Sequence, residues 1–210
     1  TESQSQEGEP SDDSWKEEFE KTLYEQLNTL KDDDVLVLAG SIPSGMPQSI
    51  YRDIMSRLQS KRIKIAVDAT KDLLMNVLAY HPFVIKPNNH ELSEIFDIMI
   101  DSKEKAVVYA KELQKKGAQN VIVSMAGEGA VFVGSDGSVF TSEAPHGVVK
   151  NSVGAGDSMV AGFLAGYLAK GDYAEAFKMG LCTGSASAFS DQLATREEVE
   201  QVRRSHIFDF

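Results

Sequence analysis

Lys150-Asn-Ser-Val-Gly-Ala-Gly-Asp-Ser-Met-Val-Ala-Gly-Phe-Leu164 is the stretch that decides the fold, because a glycine-rich turn runs directly into an apolar segment of helical period. Apolar residues recur from Met159 to Leu168 at the spacing of one helix face. This pattern predicts a helix from about Asp157 to Ala169 that is buried along its length. The rest of the chain has to supply the core against which that helix packs.

The turn before this helix has the chemistry of an anion site. Gly154, Ala155 and Gly156 carry little or no side chain, and N–H groups at the start of a helix have no partner within it. Such donors could hold a transferring phosphoryl group, whose outer oxygens carry the charge of the transition state. Asp157 lies beside them and could take a proton from an attacking hydroxyl. Gly-Ala-Gly-Asp could equally be an ordinary turn that starts a helix, and the stretch alone leaves both interpretations open.

Composition limits the class of protein. With 210 residues and 42% hydrophobic content, the chain can bury a substantial core, as one domain or as a domain with an appendage. A net charge of -11 argues against a nucleic-acid partner and against an anionic membrane surface. No apolar run reaches the length of about 18 residues that a membrane span needs. Cys182 is the only cysteine, which excludes an intramolecular disulfide and favours the cytoplasm.

The N-terminal part of the chain divides at Asp13. Residues 1–13 are polar and acidic, lack apolar side chains, and are predicted to be a mobile segment. Residues 14–210 are predicted to form the structured portion. Because the first predicted helix, at 14–30, follows no strand and the sequence does not begin with Met, we expect an N-terminal portion to precede this sequence.

Strands and helices alternate through the middle of the chain. Four short apolar runs predict strands that are buried on both faces of a parallel sheet, at 35–39, 63–67, 83–85 and 121–125. Amphipathic segments predict helices between these strands. Two further strands, at 131–133 and 139–141, are joined by a hairpin signal with no helix between them. The predicted fold is therefore α/β, with an antiparallel edge on a parallel sheet.

Two loops follow predicted strands and could contact a ligand. Gly40 and Ser41 come directly after the first strand, and in open α/β sheets ligands bind beyond the carboxyl ends of the strands. A plain strand-to-helix connection explains their spacing equally well. Gly127 and Gly129 line a second loop that could admit a flat or phosphorylated ligand, although Gly-x-Gly alone is a weak signal.

Lys86-Pro-Asn-Asn-His-Glu-Leu92 follows the third strand. Pro87 favours the first turn of a helix, which places Asn88 and Glu91 on one face. Their amide and carboxylate oxygens could hold waters of a hydrated Mg²⁺. The alternative is a helix cap with a glutamate in the first turn, and the motif taken alone favours it. His90, without ligand-type partners in register, is more typical of a surface residue than of a metal ligand.

Taken together, four segments stand in the order and rough spacing of the PfkB (ribokinase-like) carbohydrate kinases, which this chain resembles over about residues 35–202. They are Gly40-Ser-Ile-Pro43, Lys86-Pro-Asn-Asn-His-Glu-Leu92, Ser124-Met-Ala-Gly-Glu-Gly-Ala130 and Val153-Gly-Ala-Gly-Asp157. The branch that looks most similar is that of the 1-phosphofructokinases and tagatose-6-phosphate kinases. The resemblance implies a three-layer α/β/α fold with a mainly parallel sheet, from which the family's lid and N-terminal strands are missing.

The resemblance also implies roles for the matching residues. Asp157 would be the catalytic base that activates the sugar hydroxyl, beside an anion hole formed by Gly154, Ala155 and Gly156. Asn88 and Glu91 would match the family's magnesium-linked pair. The implied nucleotide contacts are Lys86, near the phosphates, with Ser124, Gly127, Gly129 and Ser190. The implied substrate contacts are Gly40, Ser41 and Asp157.

The function that the resemblance implies is phosphorylation of a phosphosugar with ATP and Mg²⁺, fructose 1-phosphate giving fructose 1,6-bisphosphate. Tagatose 6-phosphate is the alternative substrate. A nucleotide-binding fragment without turnover is the competing class, because the family carries most sugar contacts and its lid in the N-terminal region. That lid also implies a homodimer for the full-length enzyme. Asn151 stands where many relatives have an acidic residue, which weakens the expectation of a monovalent-cation site.

Overall fold

The structure is a computed structural model that describes residues 14–210, so the predicted mobile segment 1–13 lies outside the described residues. Its elements, in chain order, are α1 (Ser14–Thr29), β1 (Val35–Ala39), α2 (Ile50–Leu58), β2 (Lys64–Asp68), α3 (Lys71–Met75), β3 (Val84–Ile85), α4 (Asn89–Phe96), α5 (Lys103–Lys115), β4 (Asn120–Ser124), β5 (Ala130–Val133), β6 (Val139–Ser142), α6 (Ala155–Lys170), α7 (Tyr173–Phe189) and α8 (Arg196–Ser205).

The six strands form one sheet in the order β1-β2-β3-β4-β5-β6. The pairs from β1 to β4 are parallel, and β5 and β6 add antiparallel pairs, as the sequence predicted. In register, Ala39 lies opposite Asp68, and Val67 lies opposite Ile85. The carboxyl ends of the four parallel strands therefore lie along one edge of the sheet, which is where an open α/β sheet binds its ligands.

Helices cover both faces of the sheet, which confirms the three-layer α/β/α fold. Helices α1 to α5 pack on one face, through side chains such as Leu27, Ile54 and Leu113. Helices α6 and α7 pack on the other face around Phe163 and Phe177, and α8 packs against α7. Successive strand residues alternate between these two cores, so the strands are apolar throughout, as expected for a sheet covered on both sides.

One side of α6 is not covered. The helix begins two residues before its predicted start and buries Phe163 and Leu164, but Leu168 is 57% exposed, contrary to the prediction of burial along its length. Ala161 and Ala165 are exposed on the same side as Leu168 and Asp157. We call this side of α6 the open face.

The open face continues onto the sheet. Val37 of β1 is 46% exposed and points toward the α6 side, because its neighbour Leu38 packs into the opposite core. Within the described residues, β1 pairs only with β2, so the outer side of β1 is an unpaired edge. An exposed apolar helix side next to an unpaired strand is unusual in a finished surface.

The segment between β2 and β3 does not form one continuous helix. It forms α3, which ends at Met75, followed by a separate 3₁₀ turn at Leu78–Tyr80. His81 then has a φ of 55°, and Pro82 follows it. A residue before proline is disfavoured in the helical region, so helical structure ends before Pro82. None of the helices in residues 14–210 has the length and apolar character needed to cross a membrane.

Candidate active site

Residues that follow the parallel strands meet at the carboxyl edge of the sheet. Gly40 comes after β1, and its N–H donates to the Asp68 carbonyl at 3.0 Å. Lys86 comes directly after β3, and its N–H donates to a β2 carbonyl. Ser124 ends β4 and forms an isolated parallel bridge with Asn88. Sequence segments that are far apart are therefore brought into one row.

The hydrogen bonds at the start of α6 show which backbone N–H groups are free to bind a ligand. Gly154 has a φ of 77°, a left-handed conformation that favours glycine, so the chain turns sharply there. The Ala155 N–H donates to the Ser152 carbonyl at 3.2 Å. Gly156 and Asp157 come next in the first turn, where no helix carbonyl can accept their N–H groups. The candidate anion hole is therefore centred on Gly156 and Asp157, and Ala155 contributes less than the sequence suggested.

Gly156 closely approaches Lys86. A Cβ atom added to Gly156 would lie 3.1 Å from Lys86 Nζ and 3.9 Å from Asp68 Oδ2, so a side chain there would displace the Lys86 ammonium by a few tenths of an ångström. Lys86 is buried, with 6% of its surface exposed, and its ammonium pairs with Asp68 at 3.2 Å. The resemblance implied that Lys86 lies near the nucleotide phosphates. In the structure, its charge lies next to Gly156 of the candidate anion hole.

Asp68 is a site residue that the sequence reasoning missed. Burial raises the pKa of its carboxyl group, the charge and hydrogen bond of Lys86 oppose that shift, and the Asp157 carboxylate adds to it. Asp68, Lys86 and Asp157 are therefore close enough to influence one another. A signal was available, because Asp68 ends a parallel strand at the carboxyl edge, where ligands bind.

A cleft of about 610 Å³ opens in front of the anion hole. Its volume is within the range of about 300–1,000 Å³ that is usual for small-molecule sites. Six of the predicted site residues line it, namely Asn88, Ser124, Gly127, Gly129, Ala155 and Gly156. His90 also lines it, although the sequence suggested only a surface residue.

The two glycines of the β4–β5 turn have different functions. Gly129 has a φ of 92°, and a Cβ atom there would lie 2.0 Å from the Ser142 carbonyl oxygen. A side chain at Gly129 is therefore excluded by backbone. Nothing lies within 4 Å of a Cβ atom added to Gly127, so this glycine leaves free space in the cleft.

One wall of the cleft is apolar. A Cβ atom on Gly147 would lie 2.4 Å from the ring of Phe189, so the loop backbone rests against that ring. Both residues line the cleft, together with Pro145. The cleft thus has an apolar wall that includes Pro145, Gly147 and Phe189, and backbone N–H donors at Gly156. Sequence reasoning missed this apolar wall, because Gly147 and Phe189 are distant in the chain.

Ser190 does not belong to this cleft, so its prediction as a nucleotide contact is not matched. Its side chain is 7% exposed, and its hydroxyl bonds to the Ala186 carbonyl and to Glu198 Oε1, both at 2.9 Å. The hydroxyl is used to hold the end of α7 against the start of α8. The resemblance implied a ligand contact at Ser190, but its side chain points inward.

Asn88 and Glu91 form the helix cap that the sequence offered as the alternative to a metal site. The Glu91 N–H donates to Asn88 Oδ1, and the Asn88 N–H donates to Glu91 Oε2, both at 2.8 Å. Within residues 14–210, no group of three or more His, Cys, Asp or Glu side chains is arranged to hold an ion. A carboxylate keeps further lone pairs after accepting one bond, so the pair is compatible with holding the waters of a hydrated Mg²⁺.

Comparison with known proteins agrees with this geometry. Residues 7–198 match the pfkB family carbohydrate kinases. The chain is 44% identical over 182 residues to 1-phosphofructokinase of Bacillus subtilis, an alignment that covers 87% of this chain and 60% of the relative. It is 28% identical over 180 residues to D-tagatose-1-phosphate kinase of Bacillus licheniformis, covering 85% of this chain and 59% of that protein.

The fold agrees as well. The crystal structure of phosphofructokinase-2 from Escherichia coli in complex with substrates and products superposes with a TM-score of 0.82 at 27% identity, covering 90% of this chain and 62% of that one. This chain thus spans less than two thirds of the length of the relatives that it matches. The family match over most of the sequence and the shared architecture show that the chain belongs to the pfkB family of carbohydrate kinases.

Proposed function

We propose that this chain is the nucleotide-binding and catalytic portion of an ATP-dependent kinase that phosphorylates fructose 1-phosphate to fructose 1,6-bisphosphate. One observation carries the proposal: the exposed Asp157 carboxylate stands in the first turn of α6, next to Gly156, which lines the cleft. A hydrogen-bond donor for a phosphoryl group and a proton acceptor are thus on adjacent residues. The identity to 1-phosphofructokinase supports the choice of sugar.

In the proposed reaction, different residues bind the nucleotide, accept the proton and hold the metal. We assign the adenine ring to the apolar wall that includes Pro145, Gly147 and Phe189, and the phosphates to the region of Gly156, whose N–H can bind the charge that develops during transfer. Asp157 accepts the proton of the attacking sugar hydroxyl. Asn88 and Glu91 would hold waters of Mg²⁺, an ion that neutralises phosphate charge when bound.

Other features of the proposal rest on the sequence. Gly40 and Ser41 are exposed at the carboxyl edge of the sheet, and we assign them to the substrate side. Tagatose 6-phosphate stays the alternative substrate, and the name of the Bacillus licheniformis relative adds tagatose 1-phosphate. A homodimer of the longer protein and a cytoplasmic location are predictions. We divide the chain at residue 13, as the sequence suggests.

Turnover is best tested in a chimera that has residues 35–202 in place of the matching stretch of the Bacillus subtilis relative. We expect phosphorylation of fructose 1-phosphate to exceed that of tagatose 6-phosphate and tagatose 1-phosphate.

Asp157→Asn should lower kcat by about 10²–10⁴-fold with little change in ATP binding. Asp97→Asn, an exposed substitution at a helix end, is the matched control. Activity of Asp157→Asn within about threefold of the parent would exclude Asp157 as the general base.

A further inference from the structure

Asp68 and Lys86 form a buried ion pair at the carboxyl edge of the sheet. Because Val67 pairs with Ile85 in the parallel register of β2 and β3, the next residue of each strand stands side by side. The Lys86 and Asp68 side chains are 7% and 19% exposed, and the Nζ–Oδ2 distance is 3.2 Å. A buried ammonium needs a partner of opposite charge, and Asp68 supplies it.

The same ammonium faces the anion hole. Gly156 lines the cleft, and a Cβ atom on it would lie 3.1 Å from Lys86 Nζ and 3.4 Å from Cε. The Lys86 ammonium therefore lies next to a residue that lines the cleft, close enough to act on an anion bound at the Gly156 N–H. The same ammonium pairs with Asp68.

With a phosphate bound at Gly156, that phosphate and the Asp68 carboxylate would both interact with the Lys86 ammonium. A phosphate at Gly156 is attracted by Lys86 and repelled by Asp68, and both effects are strong where water is excluded. The other titratable groups that line the cleft are two histidines and Glu143. Because that lining includes neither lysine nor arginine, the balance between Asp68 and Lys86 decides how strongly the site holds phosphate.

We propose that the Asp68 carboxylate partly neutralises the Lys86 ammonium and thereby lowers the affinity of the anion hole for the phosphates of the nucleotide. The role rests on the proposed kinase function and extends it to the regulation of phosphate affinity. A site that binds phosphate too tightly in the ground state gains no rate and retains its product, since only interactions that strengthen in the transition state accelerate transfer. Asp68 therefore keeps the phosphoryl group of ATP from being bound too tightly before transfer.

The test is calorimetric titration of the 210-residue chain with Mg·ATP, Mg·ADP and adenosine. We expect Asp68→Asn, which keeps the shape and removes the charge, to bind Mg·ATP about tenfold more tightly and to gain less for Mg·ADP, which lacks the phosphoryl group that is transferred. Its affinity for adenosine should not change, because adenosine carries no phosphate. Lys86→Met should weaken binding of both phosphorylated nucleotides. A purely structural role for Asp68 could not raise affinity for phosphate alone.

The matched control is Asp32→Asn. Asp32 pairs with Arg62 at 3.2 Å at the opposite edge of the sheet, so this variant also removes one carboxylate from an ion pair. Its affinity for all three ligands should equal that of the unsubstituted chain. Asp68→Ser serves as a second variant, and thermal unfolding of each protein establishes that it is folded.

Three outcomes overturn the proposal. Unchanged or weaker Mg·ATP binding by folded Asp68→Asn would assign Asp68 another role, such as holding the metal. Failure of both Asp68 variants to fold would make the ion pair a structural requirement of the sheet. Absence of Mg·ATP binding by the unsubstituted chain would overturn the proposed function together with this inference, whereas the first two outcomes leave that function intact.

Discussion

The two sides of α6 differ in how completely this chain builds them. On one side, the nucleotide cleft is closed by the β4–β5 turn, the loop at Gly147 and the end of α7. On the other, the open face leaves Leu168 57% exposed next to the unpaired edge of β1, where Val37 is 46% exposed. Asp157 stands where the two sides meet. The cleft side of α6 thus has walls from several elements, while under the proposed function a sugar approaching Asp157 from the open face would meet an exposed surface.

The largest expected effect is a separation of binding from turnover in these 210 residues. Without walls on the open face, the sugar hydroxyl is not held in line with the phosphate, and positioning of that kind accounts for about 7–11 kcal/mol of a barrier. We expect Mg·ATP binding by calorimetry and no detectable phosphorylation of fructose 1-phosphate. Turnover at about 1–100 s⁻¹, as kinases typically show, would mean that the substrate site is already complete.

The second prediction compares the two sides of α6 directly. Phe163 is fully buried against Phe132 and Phe83, so Phe163→Ala should lower the free energy of unfolding by about 3–5 kcal/mol. Leu168→Ala, on the open face, should change it by less than about 0.5 kcal/mol. Urea denaturation followed by circular dichroism measures both. A loss of similar size at both positions would show that something covers Leu168 in solution.

The third prediction concerns the wall of the nucleotide cleft. Gly129→Ala places a Cβ atom against the Ser142 carbonyl at a positive φ, and should lower the free energy of unfolding by at least about 2 kcal/mol. Gly127→Ala meets nothing within 4 Å, so stability should stay within about 0.5 kcal/mol. Because Gly127 lines the cleft, its variant should instead weaken Mg·ATP binding. Unaltered affinity in Gly127→Ala would remove that glycine from the nucleotide contacts.

The smallest effect is expected at Glu91. Glutamine can replace glutamate in a capping box, so Glu91→Gln should keep stability within about 0.5 kcal/mol. Loss of the charge should raise the Mg²⁺ concentration needed for ATP binding by about tenfold, as changes around a metal site commonly do. Glu94→Gln is the control on the same helix, since Glu94 pairs with Lys71 away from the cleft. An equal Mg²⁺ requirement in both variants would leave Glu91 as a helix cap only.

Much of the fold could be read from local patterns. The helical period predicted α6 to within two residues of its observed start, and the apolar run at 35–39 matches β1. Patterns of this kind depend on neighbours within a few residues, which the sequence lists directly. Ser190 shows where such reasoning stops. The resemblance implied that Ser190 contacts the nucleotide, but its hydroxyl donates to Glu198 inside the protein.

By itself, the sequence determined the α/β order, the antiparallel edge, the glycine turn before Asp157 and the family, because each depends on residue types at short spacing. Tertiary structure alone decided that Lys86 and Asp68 lie next to Gly156, that Gly147 rests on Phe189, and that one side of α6 is uncovered. These facts depend on the register of adjacent strands and on how helices pack across the sheet. Both bring together residues that are far apart in the chain, so no local pattern records them.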